Sequence, residues 1–286
     1  MKTDYTKSFT PLEIAKAKSE HKENKSLTGF TLIELLVVIS IIGLLASIVL
    51  ASLEGGERRA ITGKAMSFSH TVRVSLGADL VGEWKLDEGS GISAKDTSGS
   101  DNHGTLVNSP QWVNGIFGKA LEFNGTNYID TGVVASDLGV SGAVSKTVSV
   151  WVYTKGFNNG GIFELGSHVI GQDFSLRTTA TDNLWRAQFW STPDFDFNYD
   201  SKNKWVHFVF MHDGTRGVVY ADAKEVAYEN SAMNTGDAKT FKIGRWASNN
   251  FIGLIDEVQL FNQALDMSEI QQLYAEGVVR HGLTLK

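Results

Sequence analysis

Cysteine is absent from all 286 residues, which removes disulfides, thiolate zinc clusters and thiol nucleophiles together. A domain exported to an oxidising compartment must then be held by its core, with a hard, oxygen-liganded cation as the further support expected. Proline is scarce, at 3 residues against 29 glycines, so the turns are tight and carried by glycine. A basic excess is missing too, with 26 Lys and Arg against 32 Asp and Glu. Nucleic acid is therefore excluded as a partner, because phosphate binding needs a cationic face. No internal repeat occurs, and long apolar runs are confined to residues 30–50.

That run, Phe30 to Leu50, has 21 residues and as a helix rising ~1.5 Å per residue reaches about 31 Å, enough to cross a bilayer. Residues 1–29 hold six Lys and four acids, net +2, which leaves −8 for the rest. The positive-inside rule keeps this leader cytoplasmic and sends everything after Leu50 outward. Glu34 lies inside the run, where an ionised side chain costs roughly 2.5–3.5 kcal/mol near the helix centre and needs a partner. A new amino terminus is the cheapest one. An ordinary secretory signal fits poorly: its apolar region is shorter, roughly 7–15 residues, and Leu50-Ala51-Ser52-Leu53-Glu54 is a poor cleavage site.

Gly29-Phe30-Thr31-Leu32-Ile33-Glu34-Leu35-Leu36-Val37-Val38 resembles the N-terminal signature of the prepilin family, which comprises type IV pilins, minor pilins and pseudopilins. The resemblance implies that a prepilin peptidase cuts between Gly29 and Phe30 and methylates the amino group of Phe30, while the helix stays in the mature protein. Glu34 then neutralises the terminal amine of an adjoining pilin-like subunit, and two charges that are each costly in lipid become tolerable as a pair. The protein would sit in the cytoplasmic membrane as a single-pass subunit, in a pilus or pseudopilus.

Past the run, Glu54-Gly-Gly-Glu-Arg-Arg59 marks the exit from lipid, and Ile61, Ala65, Phe68, Val72 and Leu76 recur on one helical face. Residues 51–79 thus read as an amphipathic helix extension or a stalk, and the family packs such an extension against its head. From residue 80 to 286 short strands alternate with Gly, Asn, Asp and Ser, with candidates at 81–86, 119–123, 127–131, 147–154, 184–190, 204–212, 216–221 and 253–260. Val81-Gly-Glu-Trp-Lys-Leu-Asp-Glu-Gly-Ser-Gly91, Asp96-Thr-Ser-Gly99, Gly118-Lys-Ala-Leu-Glu-Phe-Asn-Gly125 and Gly253-Leu-Ile-Asp-Glu-Val-Gln-Leu-Phe261 resemble the laminin-G-like, concanavalin A-like jelly-roll family. The fold class expected is a long N-terminal transmembrane α-helix followed by an all-β jelly-roll sandwich with a short C-terminal helix. In that helix Asp266 is the N-cap, Glu269 completes a capping box, Leu265 and Ile270 form the hydrophobic staple and Gly277 supplies the stop.

Period-two alternation places Asp256 with Leu254, Val258 and Leu260, so an acid faces an apolar layer and must be paired. The jelly-roll resemblance implies a structural Ca²⁺ drawing on Asp96, carbonyls around Asn102 and His103, and Asp256. The other reading is that both acids cap turns and bond to backbone. Trp190, Phe195 and Tyr199 cluster around Ser191–Asp200, read as a long aromatic loop suited to stacking on sugar rings. Alternation sets Trp185 opposite Trp190, so at least one of the two is core; Trp151 and Trp205 sit in apolar strands and read as core too. Catalysis is not expected, because no Glu-x-Asp-x-x-Glu run of the kind retaining glucanases need is present. The reading is a minor pilin or pseudopilin with an adhesive head for a glycan or surface protein. Its rivals are a membrane-anchored lectin-like receptor and a glycan hydrolase.

Overall fold

The structure, a computed structural model, describes residues 32, 33, 36, 39, 40, 76–189 and 194–280. The chain separates into two compact units, Met1–Arg58 and Arg59–Lys286. In the first, Leu32, Ile33, Leu36, Ile39 and Ser40 are helical, Ser40 Oγ donates to the Leu36 carbonyl at 2.7 Å, and the four apolar side chains are exposed. Among the described residues no helix is long and apolar enough to cross a membrane. Gly29, Phe30, Glu34, most of the expected span and the stripe from Ile61 to Val72 lie outside the described residues.

The second unit is a two-sheet sandwich. Its strands begin with β1 (Leu80–Trp84), β2 (Ser93–Ala94), β3 (Gly104–Val107), β4 (Gln111–Asn114), β5 (Lys119–Asn124) and β6 (Tyr128–Asp130). Next come β7 (Lys146–Gly156), β8 (Gly161–Gly166), β9 (Ser175–Thr178), β10 (Leu184–Gln188), β11 (Phe195–Asn198) and β12 (Trp205–His212). Last among the described elements are β13 (Arg216–Ala221), β14 (Lys224–Asn230), β15 (Lys239–Ile243), β16 (Arg245–Trp246), β17 (Asn249–Asn250), β18 (Ile252–Phe261) and helix α1 (Met267–Arg280). The first sheet has eight strands in the order β14-β13-β12-β7-β18-β5-β4, with β1 also on β18. The second has ten, in the order β11-β10-β9-β8-β15-β6-β3-β2, with the β16–β17 hairpin attached through β8. Every one of the eight expected strands is present. Phe195–Asn198, expected within a loop, is instead strand β11, paired antiparallel with β10.

Inward-facing side chains of the two sheets meet in one aromatic core. Phe174 stacks on Phe210 with ring centroids 4.4 Å apart, and Trp185 lies 4.4 Å from Phe208. Such pairs add to their area burial because ring edges and faces carry opposite partial charge. The outer face of the first sheet is also apolar and is closed by α1. Leu76, last residue of the stripe, joins Val209, Val218, Tyr220, Phe261, Leu265, Ile270 and Leu273 there. The capping box forms in both directions, with Glu269 N–H donating to Asp266 Oδ1 at 2.9 Å and Asp266 N–H to Glu269 Oε2 at 2.7 Å. Gly277 does not end the helix, which runs on to Arg280. A Cβ at 277 would lie 2.6 Å from Trp151 Cζ2, so this glycine lets the helix lie directly on the indole.

Candidate functional site

While α1 closes one outer face of the sandwich, the outer face of the second sheet is polar, with Glu164, Ser175, Arg177 and Gln188 buried in it, Arg186 and Lys242 half-buried and Asp196 exposed. Phe163, Leu165, Leu176, Trp185, Ala187, Phe195, Phe197, Phe241 and Ile243 point into the core. Strand alternation then turns Glu164, Ser175, Arg177, Arg186, Gln188, Asp196 and Lys242 the other way. Register sets them side by side, with Asp130 opposite Lys242 and Lys242 opposite Glu164, and with Arg177 opposite Arg186 and Arg186 opposite Asp196.

These groups are tightly coupled. Arg186 grips Asp196 with two bonds, Nε to Oδ1 at 2.5 Å and Nη2 to Oδ2 at 2.8 Å, and this pair pulls the Asp196 carboxyl below its usual range. Arg177 Nε donates to Gln188 Oε1 at 2.9 Å, and Gln188 Nε2 donates to Asp194 Oδ2 at 2.6 Å. The guanidinium of Arg177 also lies 4.3 Å from the centre of the Trp246 ring. Trp246 Nε1–H donates to Asp173 Oδ2 at 2.9 Å, and Ser175 Oγ–H donates to Asp173 Oδ1. Asp173 is fully buried, and burial pushes its carboxyl up to about 7 against the pull of those two hydrogen bonds. Arg245 lies 4.5 Å over the Tyr128 ring at the far side of the face.

The residues expected to stack on a ligand are placed elsewhere. Phe195 faces inward, 8 % exposed, against Phe189 and Phe210, so it is a core residue and presents no stacking face. Tyr199 is half-buried edge-on against Phe208, and its hydroxyl donates to Asp222 Oδ2 at 2.8 Å. Trp190 lies outside the described residues, and Trp185 is the one of the pair found in the core. Trp151 is buried beneath α1, stacked with Tyr274 at 5.8 Å, and Trp205 packs partly buried beside it.

The expected calcium ligands are engaged by backbone. Asp96 accepts N–H groups from Glu83 at 2.9 Å and Ser98 at 2.8 Å on Oδ1, and from Asn102 at 2.9 Å on Oδ2. The Asn102 carbonyl accepts the Trp84 indole N–H at 2.9 Å. Asp256 is fully buried, but with a different neighbourhood from the one alternation gave. The register shifts between Asp256 and Gln259 and Glu257 takes φ 48°, a β-bulge that reverses the parity of the residues after it. Ile255, Val258 and Leu260 are therefore the inward residues, while Asp256 lies opposite Trp151 on the outer face, under the loop at Gly115. Its oxygens accept N–H groups from Phe117 at 3.1 Å and Glu257 at 2.9 Å. Asp96 and Asp256 share no hydrogen-bond partner. Asp96 Oδ1 has both lone pairs in use, whereas Asp96 Oδ2 and the two Asp256 oxygens each keep one; among the described residues no three His, Asp or Glu side chains are grouped to hold a metal.

Under α1, Ser149 Oγ and His207 Nε2 lie 2.8 Å apart beside a cavity of about 20 Å³, room for roughly one water. His207 is fully buried, which lowers its pKa to about 3. The helix covers this pair, so it is a structural contact and not a nucleophile site.

The outer face of the second sheet, with Trp246 folded onto it, is not among the sites expected from the sequence. Its signal there is the spacing Ser175-x-Arg177, Arg186-x-Gln188 and Asp194-x-Asp196, polar at every second residue.

A sandwich of this topology, with one face closed by a C-terminal helix and the other polar, is of the concanavalin A-like class. Residues 123–271, more than half of the chain, match the family described as the concanavalin A-like lectin/glucanases superfamily, and the chain belongs to it. Residues 25–50 match the prokaryotic N-terminal methylation motif. No curated protein sequence matches the chain. Domain 4 of AbnA, a GH43 extracellular arabinanase from Geobacillus stearothermophilus solved with arabinotriose, is 22 % identical over 68 % of this chain and 98 % of that one, with TM-score 0.54. Trypanosoma rangeli sialidase is 20 % identical over 69 % of this chain but 32 % of its own, with TM-score 0.55. The binding domain of Paraclostridial Mosquitocidal Protein 1 is 14 % identical over 70 % of this chain and 52 % of that one, with TM-score 0.53. At these identities the likeness is one of fold.

Proposed function

We propose that the protein is a pilin-like subunit, a minor pilin or pseudopilin, that assembles through its N-terminal helix and displays an extracytoplasmic binding head. The observation that carries this is the methylation motif at residues 25–50 in one chain with a jelly-roll domain. On this reading a prepilin peptidase cuts before Phe30, the helix stays in the membrane, and Glu34 meets the amine of a neighbouring subunit. Mass spectrometry of the membrane-extracted chain should find an N-methylated Phe30 terminus. A terminus near Ala51 would instead mean ordinary secretion. Glu34→Ala should leave processing intact and reduce incorporation into fibres, whereas unaltered assembly would favour the anchored, non-assembling receptor.

For the head we infer carbohydrate binding without turnover, on the outer face of the second sheet. Two things support it: the accessible Arg186, Asp196 and Lys242 side chains there, backed by the buried Arg177 and Gln188, and the arabinotriose complex of a domain with the same fold. The acids on that face are each tied to a donor, Asp196 to Arg186, Asp194 to Gln188, Asp173 to Trp246 and Glu164 to the Ala247 N–H. That favours a rigid recognition surface over a free acid and nucleophile pair. A glycan panel should show binding with no released sugar; release would make the head a hydrolase.

A further inference from the structure

The β16–β17 hairpin departs from the sheet at Gly244 and rejoins the fold at Phe251, whose N–H closes the base on the Gly244 carbonyl at 2.9 Å. Between these points the chain is pressed onto β8. A Cβ at Gly161 would lie 2.3 Å from the carbonyl carbon of Arg245 and the nitrogen of Trp246, so glycine is what admits the hairpin at this height. Two buried acids fasten its far side: Asp173 accepts the Trp246 indole N–H, and Glu164 accepts the Ala247 N–H. Glu164 is 2 % exposed and Asp173 fully buried.

We propose that this hairpin is a strap over the outer face of the second sheet, held down while Asp173 is protonated and released as Asp173 ionises. The inference goes beyond glycan binding and stands without it.

Groups from four directions face Asp173. Ser175 and Trp246 donate hydrogen bonds, Glu164 and Asp194 add like charge, and Arg177 adds opposite charge. Arg177 is already engaged by Gln188, Asn159 and the Thr178 carbonyl. Beyond Glu164 stand His168, Lys239 and Lys242, of which His168 is held down chiefly by burial. A neutral Asp173 can accept from Trp246 on one oxygen and donate its proton to Ser175 Oγ from the other. Once ionised it is a buried charge beside two other acids, and lifting the strap lets water reach it.

The sign follows from linkage. Asp173 titrates at about 7 with the strap down and near its ordinary value, ~3.9, when hydrated, so the closed form binds the proton more tightly. Closure is full below the ordinary value and is lost as pH rises through 7, by about tenfold between pH 6 and pH 8.

Hydrogen exchange read by mass spectrometry on the full chain in detergent, at the peptide covering 244–251, tests this. Comparing wild type with Asp173→Asn at the same pH cancels intrinsic exchange rates. Wild-type protection should fall about tenfold relative to the variant between pH 6 and pH 8. Parallel pH dependence in the two proteins would overturn the proposal. Should Asp173→Asn not fold, Glu164→Gln removes a like charge and keeps an acceptor for Ala247, so Asp173 ionises at lower pH and the fall in protection between pH 6 and pH 8 should shrink below tenfold. A hairpin loosened equally at every pH would mean that the acids are structural pins only.

Discussion

Replacing Gly277 by alanine sets two effects of opposite sign against each other inside one helix. In an exposed helix the change gains ~1 kcal/mol from propensity. Here the new methyl carbon would lie 2.6, 2.7 and 2.8 Å from Trp151 Cζ2, Nε1 and Cε2. Non-bonded carbons prefer ~3.5–4.0 Å, so the helix or the indole must move by roughly 1 Å. Trp151 has little room to yield, being packed by Ile116 and Val278 and bounded by His207 at 5.0 Å and Tyr274 at 5.8 Å. Overpacking of this kind costs ~1–3 kcal/mol, which offsets the gain in propensity and leaves Gly277→Ala destabilised by up to about 2 kcal/mol. Urea unfolding of a soluble fragment beginning near residue 76 would show a lower midpoint at unchanged slope. Gln271→Ala, on the exposed side of α1, serves as the propensity control. Gly277→Ala combined with Trp151→Phe should lose less than the sum of the single changes, because the smaller ring relieves the clash. A Gly277→Ala protein more stable than wild type by ~1 kcal/mol would show that α1 does not lie on Trp151 as described.

Three further outcomes are expected. His207 is held neutral in the fold, with a pKa of about 3 against its ordinary ~6.5, so the unfolded chain takes up the proton first; stability is full above pH 6.5 and falls by ~2 kcal/mol at pH 5, a slope that His207→Gln should flatten in denaturant titrations at the two pH values. Leu76→Ala should cost ~2–4 kcal/mol, because the side chain is 2 % exposed among Val209, Phe261 and Ile270; a neutral result in thermal melts would detach this residue from the head. Calcium at Asp96, Asn102 or Asp256 would stabilise the head by about 2.7 kcal/mol at a hundredfold excess over Kd, so chelator should lower its melting temperature. Coincident melts with no calcium in the purified protein would leave both acids as acceptors of backbone N–H groups alone.

Strands such as β7, β12 and β18 can be read from the chain because apolar residues and turn residues mark them locally. β8 cannot, since all six of its residues are buried and no alternation survives. Strand β14 escapes for the opposite reason: Lys224-Glu-Val-Ala-Tyr-Glu-Asn230 is an edge strand exposed along most of its length and lacks a continuous apolar face. The capping box is legible because Asp266 and Glu269 are three residues apart and answer each other within one turn. Gly277 lacks that locality. Its reason is a tryptophan on β7, which neighbours it only after the sheet and helix have formed.

The polar face divides along the same line. Arg186-x-Gln188 and Asp194-x-Asp196 announce an outward row by their period of two, so the existence of a polar sheet face is within reach of the sequence. Its partnerships are not, because Trp246 meets Asp173 across 73 residues and Lys242 meets Glu164 only through the β15–β8 pairing. Asp256 shows the remaining limit. Counting by twos from Val258 places it in the inner layer, yet Glu257 adopts φ 48°, a conformation its residue type does not signal. One inserted residue at a bulge transfers every neighbour on one side to the other face. The burial of Asp256 survives that shift because the outer face at Trp151 is itself covered, by Gly115, Phe117 and α1, and its neighbours change from Val258 and Leu260 to Trp151 and the Gly115 loop while its oxygens accept two backbone N–H groups. A period-two argument therefore holds between bulges and not across them, and a buried acid inferred across one keeps its cost of burial but not its expected neighbours.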